Sequence, residues 1–151
     1  MGHFATGVAI VTARDQDGAP VGTTVNAITS LSLDPPLVLV CFDLTSATLD
    51  VVRRHGAFAI NVLGHRQDRL ARGFARRGGN KPWDEATYRL GATGTPCLES
   101  ALATLECRVE DRLAGGDHEI ILGRALDIKT AAAGLGPLLF YRGGFTSLAD
   151  G

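Results

Sequence analysis

The sequence has few cysteines and no cysteine pair at metal-binding or redox spacing. Its 151 residues include three cysteines and four histidines, and Cys41, Cys97 and Cys107 stand far apart in the chain. Isolated cysteines, two of them in apolar strand-like runs, are typical of reduced core residues in a cytoplasmic protein. Isolated cysteines and histidines also predict no zinc site.

Long apolar runs and an excess of one charge are absent as well. No apolar run approaches the length of a membrane-spanning helix, and no basic stretch after Met1 leads into a long apolar core. We therefore expect neither a membrane helix nor a secretory signal, and a soluble, cytoplasmic protein. The 15 Lys and Arg residues against 16 Asp and Glu residues give a formal net charge of -1. This balance gives no global electrostatic case for binding nucleic acid or an anionic membrane.

Three common catalytic motifs are missing. The sequence contains no G-x-G-x-x-G turn, no Walker phosphate loop and no G-x-S-x-G elbow. A dinucleotide fold of the Rossmann type, a P-loop nucleotidase and an α/β-hydrolase are therefore disfavoured.

The length and the 45% hydrophobic content predict a single domain over residues 1–151 with a real core. Val8–Ala13 and the β-branched run from Val21 flank the turn-forming stretch Asp15–Pro20 and predict a hairpin. Leu37–Phe42 is apolar at every position and Phe58–Leu63 nearly so, as expected for strands buried on both faces. Further strands are predicted over 103–113, 118–128 and 138–141. The first of these alternates, with Leu105, Cys107 and Val109 on a buried face and Glu106, Arg108 and Glu110 on an exposed one.

Two short helices are expected between the strands. Ser46 can cap the first, which carries Leu49 and Val52 on one face and ends at His55–Gly56. The second runs from about Gln67 to Ala75, and an ordered loop over 76–96 follows it. Six or seven strands joined mainly by tight turns favour a closed or partly closed antiparallel barrel.

The segment Gly22–Leu37 is the first candidate for a binding site. β-branched residues give way to the hydroxyls of Thr29, Ser30 and Ser32, and Pro35–Pro36 ends the segment. Such a strand end presents amides and hydroxyls to the polar rim of a flat ligand. The alternative is a Ser/Thr-rich turn that binds nothing.

A second candidate lies where the first helix begins. Asp43, Ser46 and Thr48 follow a buried strand, so hydroxyls and free amides gather at a positive helix end that suits a phosphate. The alternative is that Ser46 caps only its own helix. Residues 51–90 add nine basic against three acidic side chains, either as an anion-binding surface or as a solvated helix face.

His118 is the third candidate. It follows the turn Gly115-Gly116-Asp117 and begins a predicted strand, from which it can reach into a cleft at the strand ends. The alternative is a surface histidine bonded to Asp117.

Six motifs occur in the order expected of the flavin reductase-like family, and the sequence resembles that family over nearly its whole length. The motifs are Phe4–Thr12, Gly22–Ala27, Ser30–Val38, Phe58–Leu63, Leu105–Cys107 and Gly116–His118. The resemblance implies an FMN-binding split β-barrel, mainly β and antiparallel with a Greek-key-like order and two or three short helices. Family members generally carry a helix ahead of the first motif, whereas here Met1–Phe4 leads directly into it.

The resemblance also assigns residues to roles. The isoalloxazine ring would meet Thr23, Thr24, Val25, Asn26, Ala27, Ser30, Leu31 and Ser32. The flavin phosphate would meet Asp43, Ser46 and Thr48, with Phe74 and either Arg72 or Arg76 closing the phosphate and ribityl side. Gly116, Asp117 and His118 would contact the nicotinamide substrate.

Together these observations predict an NAD(P)H-dependent flavin reductase. The resemblance implies FMN or FAD as flavin, NADH or NADPH as reductant, a homodimer, and a flavin-dependent monooxygenase as the consumer of reduced flavin. A flavin- or haem-binding carrier that does not oxidise NAD(P)H is the alternative from another class. A structural or regulatory barrel without a ligand is the third possibility.

Overall fold

A computed structural model describes residues 1–131 and 135–148. Twelve strands, two α-helices and one short 3₁₀ turn follow one another along these residues. The strands are β1 Thr6–Gly7, β2 Ala9–Arg14, β3 Pro20–Val25, β4 Ile28–Leu33, β5 Pro36–Asp43, β6 Ala57–Val62, β7 Tyr88–Leu90, β8 Pro96–Leu98, β9 Ala103–Gly115, β10 His118–Thr130, β11 Leu138–Tyr141 and β12 Gly144–Ser147. The helices are α1 Ala47–His55 and α2 Asp68–Ala75, and Trp83–Glu85 forms the 3₁₀ turn.

A seven-stranded antiparallel sheet dominates the fold, in the order β3-β2-β6-β9-β10-β5-β4. Its two edge strands, β3 and β4, are consecutive in the chain and are joined only by Asn26 and Ala27. The sheet must therefore curl until its edges approach, because only two residues span the distance between them. The Cys41 amide donates to the Ala27 carbonyl at 3.0 Å, which extends the β4–β5 ladder to the corner between β3 and β4. The predicted partly closed barrel is confirmed.

Apolar residues fill the barrel and a second layer outside it. The interior cluster includes Val11, Phe42, Phe58 and Ile121, and the outer cluster packs Phe74 of α2 against the other face of the sheet. Strand β6 is buried on both faces, as its sequence predicted. Strand β5 is not, because only its Val38, Val40 and Phe42 face is fully buried while the opposite face is half-buried.

Helix α1 has the predicted bounds because both of its ends carry strong local signals. The Ser46 hydroxyl accepts a hydrogen bond from the Leu49 amide at 3.4 Å. Gly56 takes the left-handed conformation, with φ of 66°, and its amide donates to the Val52 carbonyl. Leu49 and Val52 are completely buried and anchor the helix on the barrel.

Helix α2 matches its prediction, but the segment after it does not. Residues 76–96, expected to be a loop, contain the 3₁₀ turn and strand β7, which pairs with β8 as a small hairpin. Trp83 lies edge-on to Phe74 with 4.8 Å between ring centroids and remains partly exposed. The Lys81 ammonium donates to the Phe74 carbonyl at 2.9 Å and to the Arg76 carbonyl, which closes the end of α2.

The prediction that Glu106 faces solvent is wrong. Its side chain is only 2% exposed, because residues 91–95 fold over this face of β9. Its carboxylate accepts hydrogen bonds from the Thr93 amide and hydroxyl, both at 3.1 Å. These bonds compensate the cost of burying the charge.

The segment Gly22–Leu37 forms two strands rather than one strand that ends in a turn. Residues of β4 pair with β5 through a tight turn at Asp34–Pro35, and a bulge between Ser30 and Ser32 interrupts the ladder at Leu31. The Ser/Thr-rich stretch is therefore an edge strand of the barrel, and the turn lies beyond it.

Candidate functional site

The strand β5 and the helix α1 meet at one end of the barrel in a polar corner. The Asp43 carboxylate accepts from the Thr45 amide at 2.8 Å and from the Thr45 hydroxyl at 2.6 Å. It also pairs with the Arg77 guanidinium at 2.8 Å. These hydrogen bonds from Thr45, followed by the charge of Arg77, lower the pKa of Asp43. The ion pair ties the segment after α2 to the start of α1.

The two hydroxyl residues of this corner differ in access. Ser46 is half-buried at the start of α1 and caps the helix, as the capping alternative predicts. Thr48 is buried beneath the helix start. The roles of both residues toward a phosphate remain predictions.

The turn between β9 and β10 lies against the same corner. His118 is the cross-strand partner of Asp43, and the Leu44 amide donates to the Asp117 carbonyl at 3.1 Å. Gly116 adopts a φ of 73°, which a residue with a side chain rarely tolerates. The His118 side chain is 44% exposed, and its Nδ1 lies 2.7 Å from Asp117 Oδ1. This hydrogen bond lowers the pKa of Asp117.

A cleft of about 400 Å³ opens beside this turn. Gly116 and His118 line it together with Leu44, Arg53 and Arg112. The structure therefore places the predicted nicotinamide-binding turn in a concave site, beside the corner predicted to hold the phosphate.

A larger cleft of about 600 Å³ lies at the open end of the barrel. Three predicted flavin residues, Asn26, Ser30 and Ser32, line it, and within residues 1–131 and 135–148 its lining includes no charged side chain. The Asn26 amide donates to the Thr6 hydroxyl at 3.2 Å. Most of the remaining wall is apolar and comes from β1, β2, β4, β5, β6, β9 and β10.

The other predicted ring contacts occupy different positions. Val25 packs against the barrel core, and the Thr24 hydroxyl donates to the Ala71 carbonyl of α2 at 2.7 Å. Thr23 is half-buried on β3, Ala27 is exposed at the β3–β4 corner, and Leu31 is exposed at the bulge. The structure does not gather these residues and Ser30–Ser32 into one cleft.

The three residues predicted to close the phosphate and ribityl side lie in different environments at the end of α2. Phe74 is completely buried against Gly22 and Trp83, so it supports the site from behind. Arg72 is exposed, and its guanidinium carbon lies 4.9 Å from the centroid of the Phe145 ring. Arg76 is exposed at the end of the helix.

No sequence motif marks Arg53, Arg77 or Arg112 as a site residue. The basic surplus of residues 51–90 was a signal for the first two, but it does not say which cations face the site. Arg112 lies outside that segment, on an alternating strand, and nothing in its local pattern marks it.

A family description, the flavin reductase like domain, matches residues 1–149. The chain belongs to this family. The resemblance of the six motifs and the predicted split-barrel fold are thereby confirmed.

The chain is similar to two named proteins of this family and to a solved structure. The chain is 45% identical over 146 residues to the reductase component of 4-nitrophenol 4-monooxygenase/4-nitrocatechol 2-monooxygenase from Rhodococcus opacus, covering 96% of this chain and 76% of that protein. It is 42% identical to a probable flavin reductase of Rhizobium meliloti, covering 95% of this chain but only 45% of that protein, less than half its length. The solved structure of the NADH:FAD oxidoreductase from Streptomyces globisporus with NAD and FAD fragments superposes with a TM-score of 0.91, at 35% identity and with coverage of 99% of this chain and 88% of that one.

The groups at the corner fit a flavin reductase site by their chemistry. The first turn of α1 supplies a positive helix end, Ser46 supplies a hydroxyl and Arg77 a cation, which are the groups that bind a phosphate ester. Asp43 would repel a phosphate, but Thr45 and Arg77 already engage its carboxylate. Apolar walls with few polar groups, as in the larger cleft, suit a flat ring system.

No helix in residues 1–131 and 135–148 has both the length and the apolarity needed to cross a membrane.

Proposed function

We propose that this chain is an NAD(P)H-dependent flavin reductase that transfers hydride from NADH or NADPH to FMN or FAD. The observation that carries the proposal is the contact between the turn at Gly116–His118 and the segment that leads into α1, in a chain of this family. His118 pairs with Asp43 across β10 and β5, so the nicotinamide-binding turn adjoins the helix start suited to a flavin phosphate. A nicotinamide bound at the turn and a flavin phosphate bound at the helix start would therefore be neighbours.

The protein contributes binding and alignment. Bound flavin supplies the redox chemistry, because its ring accepts the hydride. The α1 start and Arg77 hold the phosphate, and the β3–β4 strands hold the ring. His118 orients the carboxamide of the nicotinamide and does not act as a base. Alignment of two reactants in one site is a large source of rate acceleration.

The reduced flavin serves a partner enzyme. The Rhodococcus opacus relative is named as the reductase component of a monooxygenase, which supports the same arrangement for this chain. The partner would be a flavin-dependent monooxygenase that receives reduced flavin by diffusion.

The functional unit is a homodimer. Large apolar side chains remain exposed around the rim of the 600 Å³ cleft, namely Phe4, Leu33 and Ile128, with Leu33 90% exposed. Exposed apolar side chains grouped around a concave surface are typical of a protein interface. A second copy of the chain would cover them.

A direct assay tests the proposed activity. Purified protein is mixed with FMN, FAD or riboflavin and with NADH or NADPH, and the near-ultraviolet absorbance of the reduced nicotinamide is followed. Protein-dependent oxidation in at least one combination is the expected result. A carrier would bind flavin, and flavin would raise its thermal stability, yet it would oxidise no nicotinamide. A barrel without a ligand would show neither effect, and either result contradicts the proposal.

A further inference from the structure

The 400 Å³ cleft extends beyond His118 onto a surface that the proposed function leaves unused. Leu44 and Leu113 line it, and each exposes nearly half of its surface to solvent. Arg53 and Arg112 line it as well. The cleft thus combines apolar walls with guanidinium groups.

One of the two arginines is fully engaged within the protein. The Arg53 guanidinium bonds the Glu119 carboxylate through Nε at 3.2 Å and through Nη2 at 2.6 Å. Its Nη1 bonds Asp50 at 2.9 Å. Arg53 therefore fixes Glu119 in the wall of the cleft and has little capacity left for a ligand.

Arg112 differs from Arg53 in this respect. No Asp or Glu carboxylate among residues 1–131 and 135–148 lies within 4.0 Å of its guanidinium. The charge of Arg112 also acts on Glu119 in the cleft wall. The pKa of Glu119 is lowered first by the Arg53 hydrogen bond and in smaller part by the charge of Arg112. Arg112 is thus a cation beside a concave site with its donors available to an anion.

The combination of groups selects a class of ligand. A guanidinium binds phosphate oxygens with two parallel hydrogen bonds, and exposed leucines provide apolar surface for a flat base. A simple anion would not need the leucines, and an apolar ligand would not need the arginine. An adenine nucleotide with a pyrophosphate needs both.

We propose that this cleft binds the adenosine diphosphate moiety that NAD(P)H and FAD share, with Arg112 on the pyrophosphate and Leu44 and Leu113 against the adenine. The inference rests on the proposed function, since His118 at the other end of the cleft would hold the nicotinamide. Arg112 is then a binding residue for the dinucleotide.

Binding of ADP-ribose, which lacks the nicotinamide, tests the proposal without turnover. Calorimetric titration compares the parent with Arg112→Gln, Arg112→Lys and the control Arg108→Gln. Arg108 is an exposed arginine on the same strand that does not line the cleft. We expect Kd to rise about tenfold in Arg112→Gln, in keeping with the loss of a charge-assisted hydrogen bond. The rise should be smaller in Arg112→Lys, which keeps the charge, and Arg108→Gln should match the parent. An unchanged Kd in Arg112→Gln, or a parent that binds no ADP-ribose, overturns the proposal.

Steady-state kinetics identify which dinucleotide uses the cleft. A raised KM for NADH with FMN as acceptor assigns it to the reductant. A raised KM for FAD, with the KM values for FMN and NADH unchanged, assigns it to the flavin. Failure of the inference is distinguishable from failure of the function. If the protein oxidises NADH but binds ADP-ribose equally well with and without Arg112, the proposed function holds and the proposed ADP site is wrong. If it binds ADP-ribose through Arg112 but does not oxidise NADH, the ADP site holds and the proposed function is wrong.

Discussion

Gly123 lies where β10 crosses the barrel core, and its lack of a side chain is required there. A Cβ at this position would lie 2.5 Å from the Phe58 ring and 3.2 Å from the Cys107 Cβ. Phe58 is completely buried and cannot move aside. We expect Gly123→Ala to lower the free energy of unfolding by about 1–3 kcal/mol, as overpacked cores do, measured by urea denaturation.

Gly7 provides the matched control for that substitution. It lies in β1 with no heavy atom within 4 Å of the added Cβ. Gly7→Ala should change the free energy of unfolding by no more than about 0.5 kcal/mol. Equal effects of the two substitutions would mean that the core accommodates the methyl group at Gly123.

The hydrogen bond between His118 and Asp117 fits two interpretations. A surface histidine would form it, and so would a histidine that Asp117 orients toward a ligand. We expect His118→Ala to raise KM for NAD(P)H far more than it weakens flavin affinity, since the proposed role of the ring is to orient the nicotinamide and not to hold the flavin. Steady-state kinetics and flavin titration measure the two effects. His55→Ala, at the exposed end of α1, is the control. Equal KM values for NAD(P)H in His118→Ala and parent would leave only the surface interpretation.

Single residues were the hardest to place from the sequence. Glu106 stands between apolar residues in an alternating strand, a position that predicts exposure to solvent. Only the distant segment 91–95 buries it. The family resemblance assigned Phe74 to the phosphate and ribityl side of the flavin, but Gly22 and Trp83 cover its ring. The spacing of Leu70 and Phe74, four residues apart on α2, is the local sign that Phe74 faces inward, whereas Glu106 has no such sign because long-range packing alone buries it.

Among the elements, the helices were predictable and the β7–β8 hairpin was not. Ser46 and Gly56 fix the ends of α1 through bonds within a few residues. The hairpin has strands of three residues each, too short for a periodic pattern. Its position depends on distant contacts, such as the bond from the Leu98 amide to the Asn61 side-chain oxygen at 2.8 Å.

The start of α1 allows its structural and binding roles to be separated. Ser46→Ala removes the cap and should cost about 0.5–2 kcal/mol of stability. Ser46→Asp retains a good cap, so it should preserve stability, but its charge should repel a phosphate. We therefore expect Ser46→Asp to weaken FMN binding about tenfold or more and to leave riboflavin binding, which involves no phosphate, near the parent value.

Titrations of both flavins, with thermal unfolding of each variant, measure these effects. Riboflavin provides the internal control, because it presents the same ring without the phosphate. If Ser46→Asp bound FMN and riboflavin as the parent does, Ser46 would serve only as the cap of α1.

For the whole molecule, composition and turn spacing predicted a barrel but not how it closes. Strands β3 and β4 are neighbours in the chain and opposite edges of the sheet. Only Asn26 and Ala27 connect these two edges, and nothing in the local pattern of either strand says that they lie at opposite edges of one sheet. The curvature that results leaves one end of the barrel open, and this opening is the 600 Å³ cleft with an apolar rim.

The open end gives a test of the proposed homodimer. Leu33 is 90% exposed at the rim of the cleft, so Leu33→Glu removes no packing within one chain but would place a charge inside a dimer interface, where desolvation is costly. We expect sedimentation to show a dimer for the parent and a monomer for Leu33→Glu, with similar thermal unfolding of the separated chains. Leu90→Glu, an exposed leucine on β7 away from the cleft, should remain dimeric. A parent that sediments as a monomer, or a Leu33→Glu variant that stays dimeric, would exclude the open end of the barrel as the interface.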